Sequence, residues 1–279
     1  MAAQAVSDPR NQPIGVFDSG IGGLTVAHEL FEILPNESVL YFGDTARVPY
    51  GPKSPETVMR YSREAAAFLI SRGVKLIVVA CNTATAHAYE LLRDELAIPV
   101  VGVVEPGART AARASATGRI GVIGTTGTIA SGAYDYAVRR LVPDARVYAQ
   151  PCPLFVPLIE EGWTDRSVTR QVAEEYLAPL HAVDIDVLIL GCTHYPLLSS
   201  LLSAVMGTGV TLVDSAHETA LEVKDVLARH ALLRTDSGPP VHAFAASDSP
   251  LRFREVGDRF LRGRIVDVER VDVEGYRLA

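Results

Sequence analysis

Short apolar runs recur along the chain. Each stops at small or polar residues and is followed by a stretch whose apolar positions return every three or four residues. Ile14-Gly-Val-Phe17 runs into Asp18-Ser19-Gly20, after which Leu24, Ala27, Leu30, Phe31 and Leu34 keep helical spacing. The same alternation predicts strands at Val39–Phe42, Lys75–Ala80, Pro99–Val104, Arg119–Ile123, Val147–Ala149, Val187–Leu190, Val210–Val213, Val241–Ala245 and Ile265–Val268. Helices are predicted at 54–72, with Ser54-Pro55 as cap and first residue and Gly73 as stop, and at 83–96, 108–116, 128–141, 165–182, 197–206, 215–233 and 250–261. Glu105-Pro106-Gly107 reads as the close of a strand, and Pro151 to Leu158 as a stiff loop or short helix.

Strands that alternate with helices predict an α/β fold with mostly parallel sheets. A weak internal repeat points to two similar, pseudo-symmetric halves. Gly-Val-Phe-Asp-Ser-Gly at Gly15 answers Gly-Val-Ile-Gly-Thr-Thr at Gly121, 106 positions on, and Cys81 answers Cys192, 111 positions on. Ligands of open α/β sheets bind beyond the carboxyl ends of the strands, so the active site is expected in the cleft between the halves.

Both cysteines stand where a strand ends: Leu76–Ala80 runs into Cys81-Asn82-Thr83, and Val187–Leu190 stops at Gly191 before Cys192-Thr193-His194. A thiol at a helix N-terminus is expected to have a lowered pKa and to favour thiolate. One such cysteine suggests a nucleophile. Two in matching contexts suggest that one takes a proton from a carbon and the other returns one to the opposite face. Taken singly, each is as well read as a small core residue. Asn82, Thr83, Thr193 and His194 offer donors at helix starts suited to carboxylates, or simple caps. Asp18, with Ser19, could hold an ammonium group or form a turn, and Tyr50-Gly51 sit on a proline-rich loop able to close over a ligand. Cys152, between prolines, reads as structural.

Other chemistries fail on spacing. A dinucleotide fingerprint needs glycine where Thr25 stands, no phosphate-loop lysine follows a glycine run, and neither cysteine has the arginine of a phosphatase loop. A zinc site from Cys81, Cys192 and His194 lacks a C-x-x-C pair. The chain has 279 residues, 48% of them hydrophobic, and its net charge of −7 argues against nucleic acid as the main partner. Three cysteines cannot all pair, which fits a reducing, cytoplasmic setting. No apolar run suits a membrane span, and residues 1–13 read as a loose polar tail, not a signal peptide.

The chain resembles bacterial glutamate racemases, in the cofactor-independent aspartate/glutamate racemase superfamily. The resemblance rests on Gly15-Val-Phe-Asp-Ser-Gly-Ile-Gly-Gly-Leu-Thr25, Tyr41-Phe-Gly-Asp-Thr-Ala-Arg-Val-Pro-Tyr-Gly51, Ala80-Cys-Asn-Thr-Ala84, Gly121-Val-Ile-Gly-Thr125, Pro153-Leu-Phe-Val-Pro-Leu-Ile-Glu-Glu-Gly162 and Leu190-Gly-Cys-Thr-His-Tyr-Pro-Leu197. It implies L-/D-glutamate interconversion without cofactor or metal, supplying D-glutamate for peptidoglycan. It further implies Cys81 on the D-glutamate side and Cys192 on the L side. Substrate contacts are implied at Asp18, Ser19, Tyr50, Gly51, Asn82, Thr83, Thr193 and His194, with Thr125 and Glu160 as weaker candidates. The implied architecture is one domain of residues 1–105 and 215–279 and another of 106–214, in a chain whose relatives are commonly homodimers. A sister enzyme acting on aspartate, and a catalytically silent amino-acid-binding protein, are the alternatives.

Overall fold

The computed structural model describes residues 8–261 and 263–278. Its first half runs β1 (Ile14–Asp18), α1 (Leu24–Ile33), β2 (Val39–Gly43), α2 (Pro55–Ser71), β3 (Leu76–Val79), α3 (Asn82–Glu95) and β4 (Val100–Gly102). Then come α4 (Val104–Ala114), β5 (Arg119–Gly124), α5 (Thr126–Ala130), α6 (Ala133–Leu141), β6 (Arg146–Pro151), α7 (Phe155–Glu160), α8 (Ser167–His181) and β7 (Val187–Gly191). The chain finishes with α9 (Ser199–Met206), β8 (Thr211–Asp214), α10 (Ser215–Arg229), β9 (His242–Ala246), α11 (Pro250–Leu261) and β10 (Glu269–Arg270).

Two wholly parallel sheets result, ordered β10-β9-β2-β1-β3-β4 and β6-β5-β7-β8. The order β2-β1-β3-β4 in the first sheet is repeated by β6-β5-β7-β8 in the second, so the repeat in sequence is a repeat in topology. β1 corresponds to β5 and β3 to β7. In each sheet the chain crosses from one side of the first strand to the other. That opens a crevice at the carboxyl ends of β1 and β3 in one half and of β5 and β7 in the other.

The strands read as continuous apolar runs because both faces of each sheet are covered. In the first sheet alternate residues serve opposite layers. Ile14, Val16, Tyr41, Leu76 and Val78 join one core with α1, α10 and α11, while Phe17, Phe42, Ile77 and Val79 join the other with α2 and α3. The first of these cores continues through Leu188 and Leu190 of β7 to α8 and α9, so the halves share buried apolar surface. α10 packs against both α1 and α4, bridging the halves.

Several expectations are corrected. Glu105-Pro106-Gly107 lies in the opening turn of α4, where the proline's missing N–H would have no helical partner anyway. The segment expected as one helix over 128–141 is two, broken at Gly132, which takes a left-handed φ of 68°. Ile265–Val268 is not a strand: Ile265 and Val268 bury their side chains without pairing their backbone, and the edge strand is Glu269–Arg270. After Cys192 comes a short 3-10 turn, Tyr195–Leu198, before α9 starts. Of the expected loose tail, residues 1–7 lie outside the described residues, but 9–13 are anchored. Lys75 Nζ donates to Arg10 O at 2.6 Å, and the Thr235 and Asp236 amides donate to Asn11 Oδ1 at 3.2 and 3.0 Å. Among the described residues, no helix is long and apolar enough to cross a membrane.

Candidate active site

The crevices of the two sheets meet in one small cavity of about 30 Å³, lined from both halves. Ser19, Tyr50, Gly51, Cys81, Asn82 and Thr83 come from the first half; Thr125, Cys192, Thr193 and His194 come from the second. Of the twelve residues named in sequence for catalysis or binding, only Asp18 and the weaker candidate Glu160 do not line it. Val48, Pro49 and Val156, with no chemical signal of their own, complete the wall. The volume holds about two water molecules, so the cavity must widen to admit an amino acid. The contacts closing it are specific: Gly127 N–H donates to Gly51 O at 2.8 Å, and Thr83 Oγ1 lies 2.8 Å from Thr125 Oγ1. A Cβ on Gly51 would stand 2.8 Å from Thr125 Cβ, so a glycine is needed where the loop crosses to the other half.

Asp18 ends β1 fully buried. Its Oδ2 accepts from Gly20 N–H at 2.9 Å, and Thr193 Oγ1 donates to Oδ1 at 3.4 Å. Burial raises its pKa against the opposing pull of His194. Asp44, after β2, is buried and holds the Tyr50 hydroxyl, and Arg47 Nε donates to it at 2.7 Å. A second Arg47 bond, to Glu64 of α2, fixes the base of the Tyr50 loop.

Cys81 is the N-cap of α3: Ala84 N–H donates to Sγ at 3.4 Å, and Sγ lies 3.6 Å from Ser19 Oγ. The helix amide does favour thiolate, as expected, but burial and then the Asp18 carboxylate outweigh it and push the thiol up to about 12. The expected lowering is therefore reversed at Cys81, which keeps its proton at neutral pH. Asn82 follows, 2% exposed. Its Oδ1 accepts from Tyr134 OH at 2.7 Å, while its Nδ2 has no partner among the described residues.

Cys192 caps no α-helix. Instead its Sγ lies 3.9 Å from His194 Nδ1, and His194 Nε2 lies 3.0 Å from Glu160 Oε1 on α7. Burial disfavours charge on the imidazole, but Cys192 and Glu160 overcome it and raise His194 to about 10. A cation thus stands beside Cys192 across neutral pH. The loop of the first half packs tightly on this group: a Cβ on Gly22 would come within 2.3 Å of both His194 Nδ1 and Thr193 Oγ1. Cys152 is buried away from the cavity, its carbonyl accepting from Tyr195 OH at 2.8 Å.

Two strand-end thiols, with the hydroxyls of Ser19, Thr83, Thr125 and Thr193 and the amide of Asn82, thus line one cavity between the two sheets. The chain belongs to the Asp/Glu/hydantoin racemase family, whose model matches residues 14–223. Within that family it is similar to the glutamate racemase of Geobacter metallireducens, 55% identical over 95% of this chain and 98% of the relative. Glutamate racemase RacE1 of Bacillus anthracis superposes with a TM-score of 0.91 at 42% identity, covering 94% of this chain and 98% of that one. The Francisella tularensis glutamate racemase, solved in complex with D-glutamate, gives 0.90 at 41% identity over 96% and 100% of the two chains.

Proposed function

We propose that this chain interconverts L- and D-glutamate, the activity its relatives' names give for them, that it does so by a two-cysteine mechanism, and that it so supplies D-glutamate for peptidoglycan. The observation that carries the reading is the placement of Cys81 and Cys192 at the ends of corresponding strands, lining one cavity. A thiolate on one side removes the α-proton; the thiol on the other delivers its proton to the opposite face. One proton leaves and one returns, so the reaction balances without change of oxidation state. In the L-to-D direction Cys192, with His194 beside it, takes the proton. Cys81, which enters holding its own, gives one back.

The substrate carboxylates are held by the free Asn82 Nδ2, the first amides of α3, and the hydroxyls of Thr83 and Thr193. Ser19, Tyr50 and Gly51 close the pocket, and buried Asp18 supplies negative charge toward the ammonium group. In this reading residues 1–105 with 215–279 form one domain and 106–214 the other. Loosening of the Gly51–Gly127 contact between them admits the substrate, and the enzyme works in the cytoplasm.

Incubation of each enantiomer in D2O tests the assignment, with α-deuterium uptake followed by NMR and optical change by circular dichroism. Deuterium should enter together with inversion, from both enantiomers. Turnover of aspartate but not glutamate would move the chain to the sister activity; exchange with neither would favour an amino-acid-binding role.

A further inference from the structure

Asn82 presents an unusual combination: a buried amide whose oxygen is engaged from the far half of the molecule and whose nitrogen is left without a partner. The engaging group is Tyr134 of α6, a helix that packs on α4 and β6 in the second half. Its hydroxyl donates to Asn82 Oδ1 at 2.7 Å, with Tyr134 3% and Asn82 2% exposed. Burial holds the phenol neutral by raising its pKa, so it keeps the proton it donates. The phenol has a single O–H, and that proton goes to Asn82 Oδ1. An amide whose oxygen is pinned in this way must turn its NH2 to the other side, and Asn82 lines the cavity between the two cysteines.

We infer that Tyr134 is a positioning residue for substrate binding: it fixes the Asn82 amide so that Nδ2 faces a substrate carboxylate as a donor. This rests on the racemase function proposed above and adds a residue that touches neither substrate nor reacting atoms. Without the phenol, Asn82 could turn its oxygen toward the carboxylate and repel it. The consequence falls on binding and not on proton transfer, because among the described residues the phenol hydrogen-bonds to Asn82 and to neither thiol.

The test is a double-mutant cycle of Tyr134→Phe and Asn82→Ala, with kcat and KM measured in both directions and the thermal midpoint of each variant recorded. Tyr134→Phe keeps the ring and is expected to raise KM for both enantiomers about fivefold to tenfold, with kcat within about threefold of the parent. In the Asn82→Ala background the same change should add less than twofold, since the amide it orients is gone. An unchanged KM in Tyr134→Phe, a kcat loss without a KM rise, or losses that multiply in the double variant would each overturn the inference while leaving glutamate racemisation by the parent intact. If the parent turned over aspartate instead, the cycle run with aspartate decides the matter by the same outcomes, because the contact is to a carboxylate both acids carry. A parent inactive on both acids would overturn the inference together with the proposed function.

Discussion

The two cysteines occupy equivalent places in a repeated topology, yet the surroundings of each are built differently. Cys81 caps a 14-residue helix and faces a buried carboxylate, Asp18, with no cation against its sulfur among the described residues; its thiol is driven up to about 12. Cys192 has only a short 3-10 turn after it, and in place of a helix terminus it has the His194–Glu160 pair. The first half meets its sulfur with backbone dipoles, the second with a titratable cation. The repeated topology thus keeps the position of the thiol, while the means of managing its charge differ between the halves. For an enzyme whose substrate and product are mirror images, this matters. The equilibrium constant is one, so kcat/KM must be equal in the two directions whatever the protein does. Any asymmetry between the halves can appear only in how kcat and KM are divided within each direction.

The largest expected effect comes from removing either thiol. Cys81→Ala or Cys192→Ala should lower racemisation by at least about 10³-fold, within the range that positioned acid–base groups contribute. The comparison is sharpened by exchange without inversion. In D2O, Cys192→Ala should retain slow α-deuterium uptake on D-glutamate alone and Cys81→Ala on L-glutamate alone, each surviving thiol serving its own face. Full racemisation by either variant would sink the two-base mechanism.

A smaller effect separates the two environments. His194 at about 10 stays protonated through neutral pH and is discharged as pH rises through that value, so turnover that needs this cation declines on the alkaline side. Glu160→Gln removes the carboxylate that helps hold the proton and so moves the alkaline limb toward neutral. Roughly one pKa unit of lost interaction should make the variant about tenfold slower on the alkaline limb, with kcat at neutral pH little changed. The raised value also carries a stability term, fully present below the ordinary histidine range near 6.5 and lost as pH climbs to about 10. Thermal midpoints of the parent should therefore fall across that interval more than those of Glu160→Gln. An identical kcat–pH profile in parent and variant would show that His194 does not manage Cys192.

Much of this was legible in the chain itself, for physical reasons. Strands buried on both faces are written as unbroken apolar runs, so β1, β3, β5 and β7 were placed within a residue or two. The repeat located both cysteines because a strand–thiol–polar grammar survives in one dimension. What escaped depends on neighbours distant in sequence. The upward shift of Cys81 needs Asp18 sealed in beside it, which no local helix-terminus argument contains. Segment 9–13 looked loose because its anchors, Lys75 and the backbone of residues 235–236, lie far along the chain. Nothing local marks Tyr134, whose hydroxyl finds its partner 52 residues upstream. Val48, Pro49 and Val156 shape the cavity without carrying any chemistry to notice.

The smallest prediction concerns a place where the halves differ in backbone. After β1 the chain makes a glycine loop and enters the single helix α1; after β5 it makes the one-turn α5, reverses at Gly132 and only then starts α6. Gly132 has a φ of 68°, and a Cβ there would meet nothing within 4 Å, so substitution brings backbone strain but no clash. A left-handed alanine costs about 1–2 kcal/mol, which for a chain of this size lowers the thermal midpoint by roughly 2–8 °C. If the surrounding packing imposes the turn, Gly132→Ala should show that loss with KM for glutamate within twofold of the parent, because Tyr134 two residues on stays in place. If alanine instead straightens α5 into α6, Tyr134 swings away from Asn82. KM then rises about as far as in Tyr134→Phe, with little change in midpoint. Measured together, midpoint and KM decide whether this break in the second half is held by tertiary packing or by glycine alone.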